Sequence, residues 1–505
     1  MDCTTRSTNS SVIRIALIVG LASEPTNSAH SQSTLAKFPP NPQVDEIFTQ
    51  LIEPNSPGCA VAVIKDRNIE YANGYGMADL DHGIPITPET VFHAGSLAKQ
   101  FTAMSIMLLV KQGQLSLEDD VRTFIPELPT FGTRITTGDM LRHQSGLRDQ
   151  YALLTMAGWR MSDDVITRHD VLDLVKRMKS LNFKPGDQFL YSNTGYTLAG
   201  LIVQRVSGKS LSDFAQDNIF KPLGMKDTRF ENTHGLIVQN RAYGYREERG
   251  QPFELRMPNY DFTGPTNLLT TVKDLALWDN SFDTDTVIGE ALRKMATRTT
   301  LPGGSYSPYG LGLYLQEYEN FPVIEHDGRD AGYRSHLMHF RLPQHLAVAC
   351  LCNRAFPEDG LLRELVGRVA KVYLPRPSAA APQSEILAVR AAVEARPQAT
   401  VTPADIAEYI GRYYSSEIDA AYDIKLHQGL SLVVARHKYK PTALVPAFTD
   451  VFTMSHFGDP VLPSSSVRFV RDYSGHVTGF LFDGPRILNF QFTKMPAGND
   501  LGGPR

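Results

Sequence analysis

The sequence has little excess of charge of either sign and only four cysteines among its 505 residues. A formal net charge of −4 argues against nucleic acid or an anionic membrane surface as the partner. Cys3, Cys59, Cys350 and Cys352 are too few for a disulfide framework, and no second Cys/His pair at ligand spacing indicates a zinc site. We interpret all four as buried thiols, with Cys350 and Cys352 on one face of a strand.

Long hydrophobic runs are absent after the N-terminus, so we expect no membrane span. Residues 15–22 form one apolar run, which is too short to be a permanent anchor. Arg6 and Arg14 flank or enter this run, and residues 29–31 offer a small-x-small cleavage site. The pattern predicts a signal peptide over residues 1–31 and a secreted or periplasmic protein. Without a functional signal the protein would be cytoplasmic.

The rest of the chain is long enough for two domains, and 42% apolar and 21% charged residues are typical of a globular protein. Strand patterns occur at both ends of a region whose middle is helical. We therefore predict an α+β domain over residues 44–375, with one antiparallel sheet built from the two ends and a helical lobe beside it. The predicted strands are 59–65, 69–75, 321–325, 333–342 and 345–352, and the predicted helices are 170–180, 194–206, 211–220, 272–279, 288–297 and 361–373.

A segment rich in Ala and Pro over residues 376–403 predicts a linker. After it come short strand patterns separated by turn signals such as Ser474-Gly475 and Asp483-Gly484. About eight strands fit in this stretch. We therefore predict a C-terminal all-β domain, a small barrel or sandwich, over residues 404–496.

A candidate nucleophile lies in the sequence Ser96-Leu97-Ala98-Lys99, the one Ser-x-x-Lys of the chain. Apolar residues at helix-compatible spacing follow it, and Gly113 is a candidate C-cap. Ser96 would then open a mostly buried helix, with Lys99 one turn later on the same face. A serine hydroxyl needs a neighbouring base, and a buried lysine in its neutral form supplies one. The alternative is an N-cap serine followed by a solvated lysine, because the tetrad alone occurs by chance about once in a chain of this length.

Three further segments carry candidate chemistry. One is Tyr191-Ser192-Asn193, which follows a Pro-Gly turn and precedes a predicted helix for which Asn193 is a candidate N-cap. Another is His326-Asp327-Gly328 with Gly332, where glycines allow a substrate to approach a late strand closely. The third is the polar turn at residues 143–147, His-Gln-Ser-Gly-Leu, in which we interpret His143 as a structural histidine.

These motifs, taken jointly and in this order, resemble the serine β-lactamase and penicillin-binding-protein superfamily. The most similar groups are class C β-lactamases, D-aminopeptidases, DD-carboxypeptidases and related esterases. The resemblance covers about residues 44–373 and implies a β-lactamase/transpeptidase-like fold. The C-terminal segment resembles the lipocalin-like β domain that is appended to some of these hydrolases.

The resemblance implies a catalytic role for each matching residue. Ser96 is the nucleophile, and Lys99 and Tyr191 share the general-base and general-acid work. Asn193 orients Lys99 and the substrate amide, and His326 stands where many relatives carry the lysine of a Lys-Thr-Gly box. Acyl transfer of this kind needs preorganised N–H donors and a proton path, and neither a metal nor a cofactor is expected.

The resemblance also implies a substrate site at Gly328, Arg329 and Gly332. The backbone N–H groups of Ser96 and Arg329 would form the oxyanion hole. Two features depart from the family. His326-Asp327 replaces Lys-Thr, which removes a permanent cation and a hydroxyl, and residues 264–267 (Gly-Pro-Thr-Asn) stand where many relatives carry a glycine cluster. Both departures argue against β-lactam turnover more than against acylation.

We therefore predict a serine hydrolase that cleaves a small amide or ester bond through an acyl-enzyme on Ser96, similar to D-aminopeptidases and esterases. The substrate would be a small molecule, a peptide or an ester. The alternatives are a β-lactamase or DD-carboxypeptidase, or a penicillin-binding receptor that deacylates slowly. The sequence does not specify the oligomeric state.

Overall fold

The structure is a computed structural model that describes residues 38–161, 163–247, 251–342, 344–356, 360–375, 403–427, 431–435, 441–454 and 465–496. The predicted signal peptide, Cys3 and nearly all of the predicted linker lie outside these residues. Within the described ranges, no helix has both the length and the apolar character needed to cross a membrane.

The helices are α1 (Pro42–Thr49), α2 (Ala98–Lys111), α3 (Thr137–Leu141), α4 (Gln150–Met156), α5 (Arg168–Arg177), α6 (Asn193–Ser207), α7 (Leu211–Ala215), α8 (Lys221–Leu223), α9 (Val272–Asn280), α10 (Val287–Met295), α11 (Leu361–Tyr373) and α12 (Pro403–Tyr409). The strands of the large domain are β1 (Cys59–Lys65), β2 (Asn68–Tyr75), β3 (Met77–Asp79), β4 (Ile84–Pro85), β5 (Phe92–His93), β6 (Ile166–Thr167), β7 (Arg229–Phe230), β8 (Tyr245–Glu247), β9 (Phe253–Leu255), β10 (Tyr260–Asp261), β11 (Leu268–Thr270), β12 (Tyr314–Tyr318), β13 (Phe321–Asp330), β14 (Tyr333–Phe340), β15 (Leu346–Cys352) and β16 (Arg354–Ala355). The C-terminal strands are β17 (Gly411–Ser415), β18 (Ala420–His427), β19 (Ser431–Ala435), β20 (Thr442–Phe448), β21 (Val451–Met454), β22 (Ser465–Arg471), β23 (Val477–Gly484) and β24 (Ile487–Lys494).

The centre of the large domain is a six-stranded antiparallel sheet in the order β12-β13-β14-β15-β1-β2. Two of its strands come from the start of the domain and four from its end, which confirms the prediction that the two ends form one sheet. Side chains alternate across β1, so Ala60 and Ala62 face the core that contains α2, whereas Val61 and Val63 face a second core against α1 and α11. All four are fully buried because helices cover both faces of the sheet.

Strand pairing corrects the interpretation of the cysteines. Cys59 lies opposite Cys352 in the β1–β15 register, with the two Cα atoms 4.0 Å apart, and a disulfide joins them. The prediction of buried thiols is wrong for this pair, because 293 residues of sequence separate two positions that the antiparallel register brings together. Cys350 is a free buried thiol on the same face as Cys352, as predicted, and burial raises the pKa of this thiol above its ordinary range.

All the predicted helices are present, and α11 packs on the sheet rather than in the helical lobe. Helix α7 ends at Ala215 instead of residue 220, and the ends of the other helices lie within three residues of those expected. Directly after α7, the residues Gln216–Phe220 form a π-helical turn. Thr271 caps α9, because its hydroxyl accepts the backbone N–H of Asp274 at 3.1 Å. Helices α2 and α6 are buried on nearly every side, so their apolar residues do not form a single stripe.

The C-terminal domain is a closed barrel of eight antiparallel strands, β17 to β24. Strand β24 pairs back to β17 at Tyr413–Lys494 and Tyr414–Thr493, and this pairing closes the sheet. Aromatic side chains fill the interior, where Phe480 and Phe492 stack with ring centroids 4.6 Å apart. The prediction of an all-β barrel is confirmed, and the likeness to lipocalins stays a prediction.

The barrel packs on the helical lobe around a buried ion pair. Arg148 Nη1 donates to Glu417 Oε2 at 2.8 Å, and the two side chains are 1% and 7% exposed. The same guanidinium lies 5.0 Å from the ring centroid of Phe490. Nearby, the hydroxyl of Tyr422 donates to the carbonyl oxygen of Met156 at 2.8 Å. A pair removed from water in this way stabilises the contact only while both charges are present.

Glu417→Ala should destabilise the protein strongly, because Arg148 would keep a buried charge without its carboxylate. Breaking a buried ion pair from one side costs about 3–5 kcal/mol. The measurement is the free energy of unfolding in urea. Glu290→Ala is the control, since Glu290 and Lys111 form an ion pair in which the side chains are 50% and 48% exposed. Similar, small effects of the two substitutions would contradict the role of the buried pair.

Candidate active site

Ser96 lies in a tight turn that strands β13 and β14 hold in place. The 3-10 turn Gly95–Leu97 leads directly into α2, so Ser96 stands at the start of the helix, as predicted. The hydroxyl of Ser335 on β14 donates to the Ala94 carbonyl oxygen at 2.7 Å. A Cβ atom at Gly328 would lie 2.1 Å from that same oxygen, so only glycine lets β13 approach the turn. Ser96 itself is partly exposed, which leaves its hydroxyl accessible.

Lys99 is fully buried one turn further along and contacts Ser96 directly. Its Nζ lies 2.9 Å from Ser96 Oγ and donates to the Pro265 carbonyl oxygen at 2.8 Å. Burial lowers the pKa of Lys99 well below its ordinary value, and the positive charge of Arg486 acts in the same direction. The amine is therefore poised as the free base, with a lone pair available to the serine proton.

Tyr191 faces the same hydroxyl from the segment before α6. Its phenol interacts with the Ser96 side chain, and its ring centroid lies 4.9 Å from Lys99 Nζ. Burial raises the pKa of Tyr191 well above its ordinary value, and the neighbouring Tyr314 acts in the same direction. The phenol thus stays protonated and can donate a proton, whereas the neutral amine of Lys99 can accept one.

His326 is fully buried on β13 and is held in one neutral tautomer. Its Nδ1 lies 2.6 Å from the Asp327 carbonyl oxygen, which only accepts, so Nδ1 carries the proton. Nε2 therefore accepts the hydrogen bond from the Tyr309 hydroxyl at 2.8 Å. Burial lowers the pKa of His326 to about 4. The predicted loss of a permanent cation at this position agrees with that geometry.

Asn193 is the first residue of α6 and is anchored by a carboxylate that sequence reasoning missed. Its side-chain Nδ2 and its backbone N–H both donate to Asp149 Oδ2 at 2.7 Å. The other oxygen of Asp149 caps α4 by accepting the backbone N–H of Tyr151 at 3.1 Å. A helix-cap pattern could have identified Asp149 as a cap, but not as the partner of Asn193. The role of Asn193 in orienting Lys99 stays a prediction.

His143 is a structural histidine in this geometry, as interpreted from the sequence. Its Nδ1 accepts the backbone N–H of Ser192 at 3.1 Å, and its ring lies 4.1 Å from that of Tyr191, centroid to centroid. Burial lowers the pKa of His143 well below its ordinary value, so the ring is neutral. His143 therefore fixes the segment that carries Tyr191.

Residues 264–267 form a tightly bonded loop beside Lys99. Thr266 donates to Asp330 Oδ2 at 2.5 Å, and Asn267 Nδ2 donates to the Tyr260 carbonyl oxygen at 2.7 Å. Asn267 adopts a positive φ of 63°. The loop that replaces the family's glycine cluster thus holds the Pro265 carbonyl oxygen in a fixed position against the lysine.

The predicted substrate residues fall into two groups. A Cβ atom at Gly95 would lie 3.0 Å from the backbone nitrogen of Arg329, so that N–H lies next to the turn that carries Ser96. Gly328 contacts the same turn. Gly332 lies elsewhere: a Cβ atom there would be 2.3 Å from backbone atoms of Gly244 and Tyr245. This packing by itself requires a glycine at position 332.

Arg486 enters the site from the C-terminal barrel and was missed by sequence reasoning. It lies in the turn between β23 and β24, and its guanidinium carbon is 4.8 Å from the ring centroid of Tyr191. Its Nη1 lies 3.7 Å from Asp149 Oδ2, and its backbone carbonyl oxygen accepts from Asn182 Nδ2 at 3.2 Å. No local motif marks this residue, because only domain packing brings it to Tyr191.

Comparisons with known proteins match the large domain to a family. A profile of the beta-lactamase family matches residues 44–371. Penicillin-binding protein 4* of Bacillus subtilis is 31% identical over 309 residues, which is 58% of this chain and 68% of the relative. A D-aminopeptidase of Gluconobacter oxydans is 29% identical over 305 residues, 59% of this chain and 56% of the relative. This chain thus spans little more than half the length of that D-aminopeptidase.

Two solved structures show related architecture. The octameric penicillin-binding protein homologue of Pyrococcus abyssi aligns with a TM-score of 0.57 at 24% identity, covering 90% of this chain and 97% of its own. That likeness is one of fold alone, and its coverage extends beyond the large domain. The D-amino acid amidase of Ochrobactrum anthropi SV3 aligns with a TM-score of 0.55 at 25% identity, covering 66% of this chain and 97% of its own.

His326 should make the protein less stable as the pH falls. Its pKa is about 4 when folded and 6.5 ordinarily, so the unfolded chain binds an extra proton between these values. Within this interval each unit of pH costs up to about 1.4 kcal/mol of stability. His326→Gln, which keeps a donor and an acceptor, should flatten the dependence by that amount in urea unfolding. The exposed His169→Gln is the control, and equal slopes in both variants would contradict a buried neutral His326.

Proposed function

The chain belongs to the beta-lactamase family, and from this premise we propose that it is a serine hydrolase that cleaves small amide or ester bonds through an acyl-enzyme on Ser96. The observation that carries the proposal is the contact between Lys99 and Ser96. A fully buried amine lies 2.9 Å from a partly exposed serine hydroxyl. Such a pair supplies both a nucleophile and the base that activates it.

Acylation begins with the neutral amine of Lys99. Its lone pair takes the Ser96 proton as Oγ attacks the substrate carbonyl carbon, and a tetrahedral intermediate forms. The Pro265 carbonyl oxygen accepts an amine N–H, which directs the lone pair toward Ser96. The Tyr191 phenol then protonates the leaving nitrogen or oxygen and regains a proton from the Lys99 ammonium. The bond to the leaving group breaks, and the acyl ester on Ser96 remains.

We assign the stabilisation of the intermediate's oxyanion to two backbone N–H groups, those of Ser96 and Arg329. The close approach of β13 to the Gly95–Leu97 turn supports this assignment, because it puts the Arg329 nitrogen beside the nucleophile's turn. Preorganised N–H donors of this kind are worth several kcal/mol, about 10²–10³-fold per donor. Deacylation reverses the roles, with a water molecule in place of the leaving group and its proton passed to the same Lys99–Tyr191 pair.

The charges around the site favour a substrate that carries an ammonium group. The Asp327 carboxylate is 64% exposed at the rim, and its charge acts on both Lys99 and Tyr191. Arg486 is positive but lies against the Asp149 carboxylate, and His326 is neutral. A substrate carboxylate would therefore not meet the permanent positive charge that the lysine of a Lys-Thr-Gly box provides. The D-aminopeptidase and D-amino acid amidase relatives support D-amino-acid amides and small esters as the substrate class.

Lys99→Ala and Tyr191→Phe should each lower kcat/KM by about 10²–10⁴-fold, the usual contribution of a positioned proton donor or acceptor. Because both residues serve one proton path, the double variant should lose much less than the product of the two single effects. The measurement is turnover of p-nitrophenyl acetate and D-alanine p-nitroanilide, with thermal unfolding to verify the fold.

Lys111→Ala and Tyr318→Phe are the matched controls for this pair. Lys111 lies at the exposed end of α2, and Tyr318 lies at the end of β12, where it packs toward α11. Both variants should keep wild-type turnover. A double-variant loss equal to the product of the single losses would mean two independent proton paths.

D-alanine p-nitroanilide and p-nitrophenyl acetate should have higher kcat/KM than the β-lactam nitrocefin. Asp327→Asn should lower the value for D-alanine p-nitroanilide and leave p-nitrophenyl acetate, which has no ammonium, near wild type. A tenfold advantage for nitrocefin, about 1.4 kcal/mol in transition-state binding, would instead indicate a β-lactamase. A burst without steady turnover on every substrate would indicate a slowly deacylating receptor.

A further inference from the structure

Three side chains from distant parts of the sequence converge at a corner of the large domain, where the end of α9 meets β14 and the start of β15. They are Asp279, His339 and His345. Together they offer one carboxylate oxygen and two imidazole nitrogens that lie within 4.8 Å of one another. Asp279 is fully buried, and each histidine is 7% exposed. These residues take no part in the proposed acyl transfer.

Both histidines direct a ring nitrogen at the Asp279 carboxylate. His345 Nε2 lies 2.6 Å from Oδ2, and His339 Nδ1 lies 3.1 Å from Oδ1. The second nitrogen of His345, Nδ1, lies 2.5 Å from Asp283 Oδ2. A metal-binding histidine usually donates its other N–H to a carboxylate, which fixes the ring and leaves the opposite lone pair for the metal. His345 has the carboxylate partner at Nδ1, and its Nε2, which contacts Asp279, would release a proton when the ion binds.

We propose that Asp279, His339 and His345 bind a first-row divalent cation, for which Zn²⁺ is the best match, and that Asp283 orients His345. Two imidazoles and one carboxylate form a set of three protein ligands that suits zinc with water in the fourth position, whereas Mg²⁺ and Ca²⁺ prefer oxygen ligands.

The separations are close to those of a zinc site. Metal bonds of about 2.0–2.2 Å in a tetrahedron put ligand atoms roughly 3.3 Å apart. The two contacts to Asp279, at 2.6 and 3.1 Å, involve different carboxylate oxygens, and all three ligand atoms lie within 4.8 Å of one another. A bound ion would bring them to about 3.3 Å apart.

The surroundings position the ligands and leave a route for the ion. Phe282 stacks on the His339 ring with centroids 4.8 Å apart, and the His345 carbonyl oxygen accepts the Asp66 backbone N–H at 3.0 Å. The Asp283 side chain is 46% exposed, so the cluster of proposed ligands is connected to solvent on the side of Asp283. A bound cation would tie α9 to the β14–β15 hairpin and stabilise the folded chain by mass action.

The test uses the full chain without an affinity tag, first freed of metal with EDTA. Calorimetric titration with Zn²⁺ should show one strong site per chain, and saturating Zn²⁺ should raise Tm. His339→Gln and His345→Gln should each weaken Zn²⁺ binding at least tenfold and remove the Tm shift. Asp283→Asn should weaken binding by about 10–100-fold, the usual effect of losing a carboxylate that orients a ligand.

His336→Gln is the matched control, because His336 is also buried on β14 and lies 2.9 Å from a carboxylate, that of Glu325, outside the proposed site. This variant should keep wild-type Zn²⁺ binding. Co²⁺ in place of Zn²⁺ should give the visible absorption of a tetrahedral site, a readout of ligation that does not depend on stability. No stoichiometric binding to the wild type, or binding unchanged in His339→Gln and His345→Gln, would overturn the proposal and leave an imidazolium–carboxylate ion network.

Discussion

The site depends on the burial of the Lys99 amine beside Ser96. Removing an ammonium from water is costly, so burial favours the free base. The same desolvation keeps Tyr191 protonated and His326 neutral, because each of these groups would also carry its charge in apolar surroundings. One physical cause thus sets three protonation states. These three groups are uncharged, and the Asp327 carboxylate lies at the rim of the site.

The C-terminal barrel is part of this environment. The buried pair of Arg148 and Glu417 fixes the barrel on the helical lobe, and the turn between β23 and β24 then brings Arg486 to the face of Tyr191. The Arg486 charge lowers the pKa of Lys99 further. The barrel therefore influences the protonation of the Lys99 amine and places a cation next to the Tyr191 phenol.

Local spacing made part of this structure predictable. Ser96 and Lys99 lie within one helical turn. Alternating or helical patterns identified the sheet built from the two ends of the large domain, the helical lobe and the all-β barrel. Contacts set by strand register or domain packing were not predictable. The Cys59–Cys352 disulfide and the approach of Arg486 to the site join residues that no motif links, because their distance in space depends on the completed fold.

The most direct measurement of the central claim is the site of covalent capture by a fluorophosphonate probe, determined by intact mass and peptide mapping. We expect one adduct per chain, on Ser96, and no adduct on the Ser96→Ala variant. We also expect slower capture in Lys99→Ala, because the hydroxyl then lacks its base. An adduct that persists in Ser96→Ala, or that maps to another residue in the wild type, would contradict catalysis by this serine.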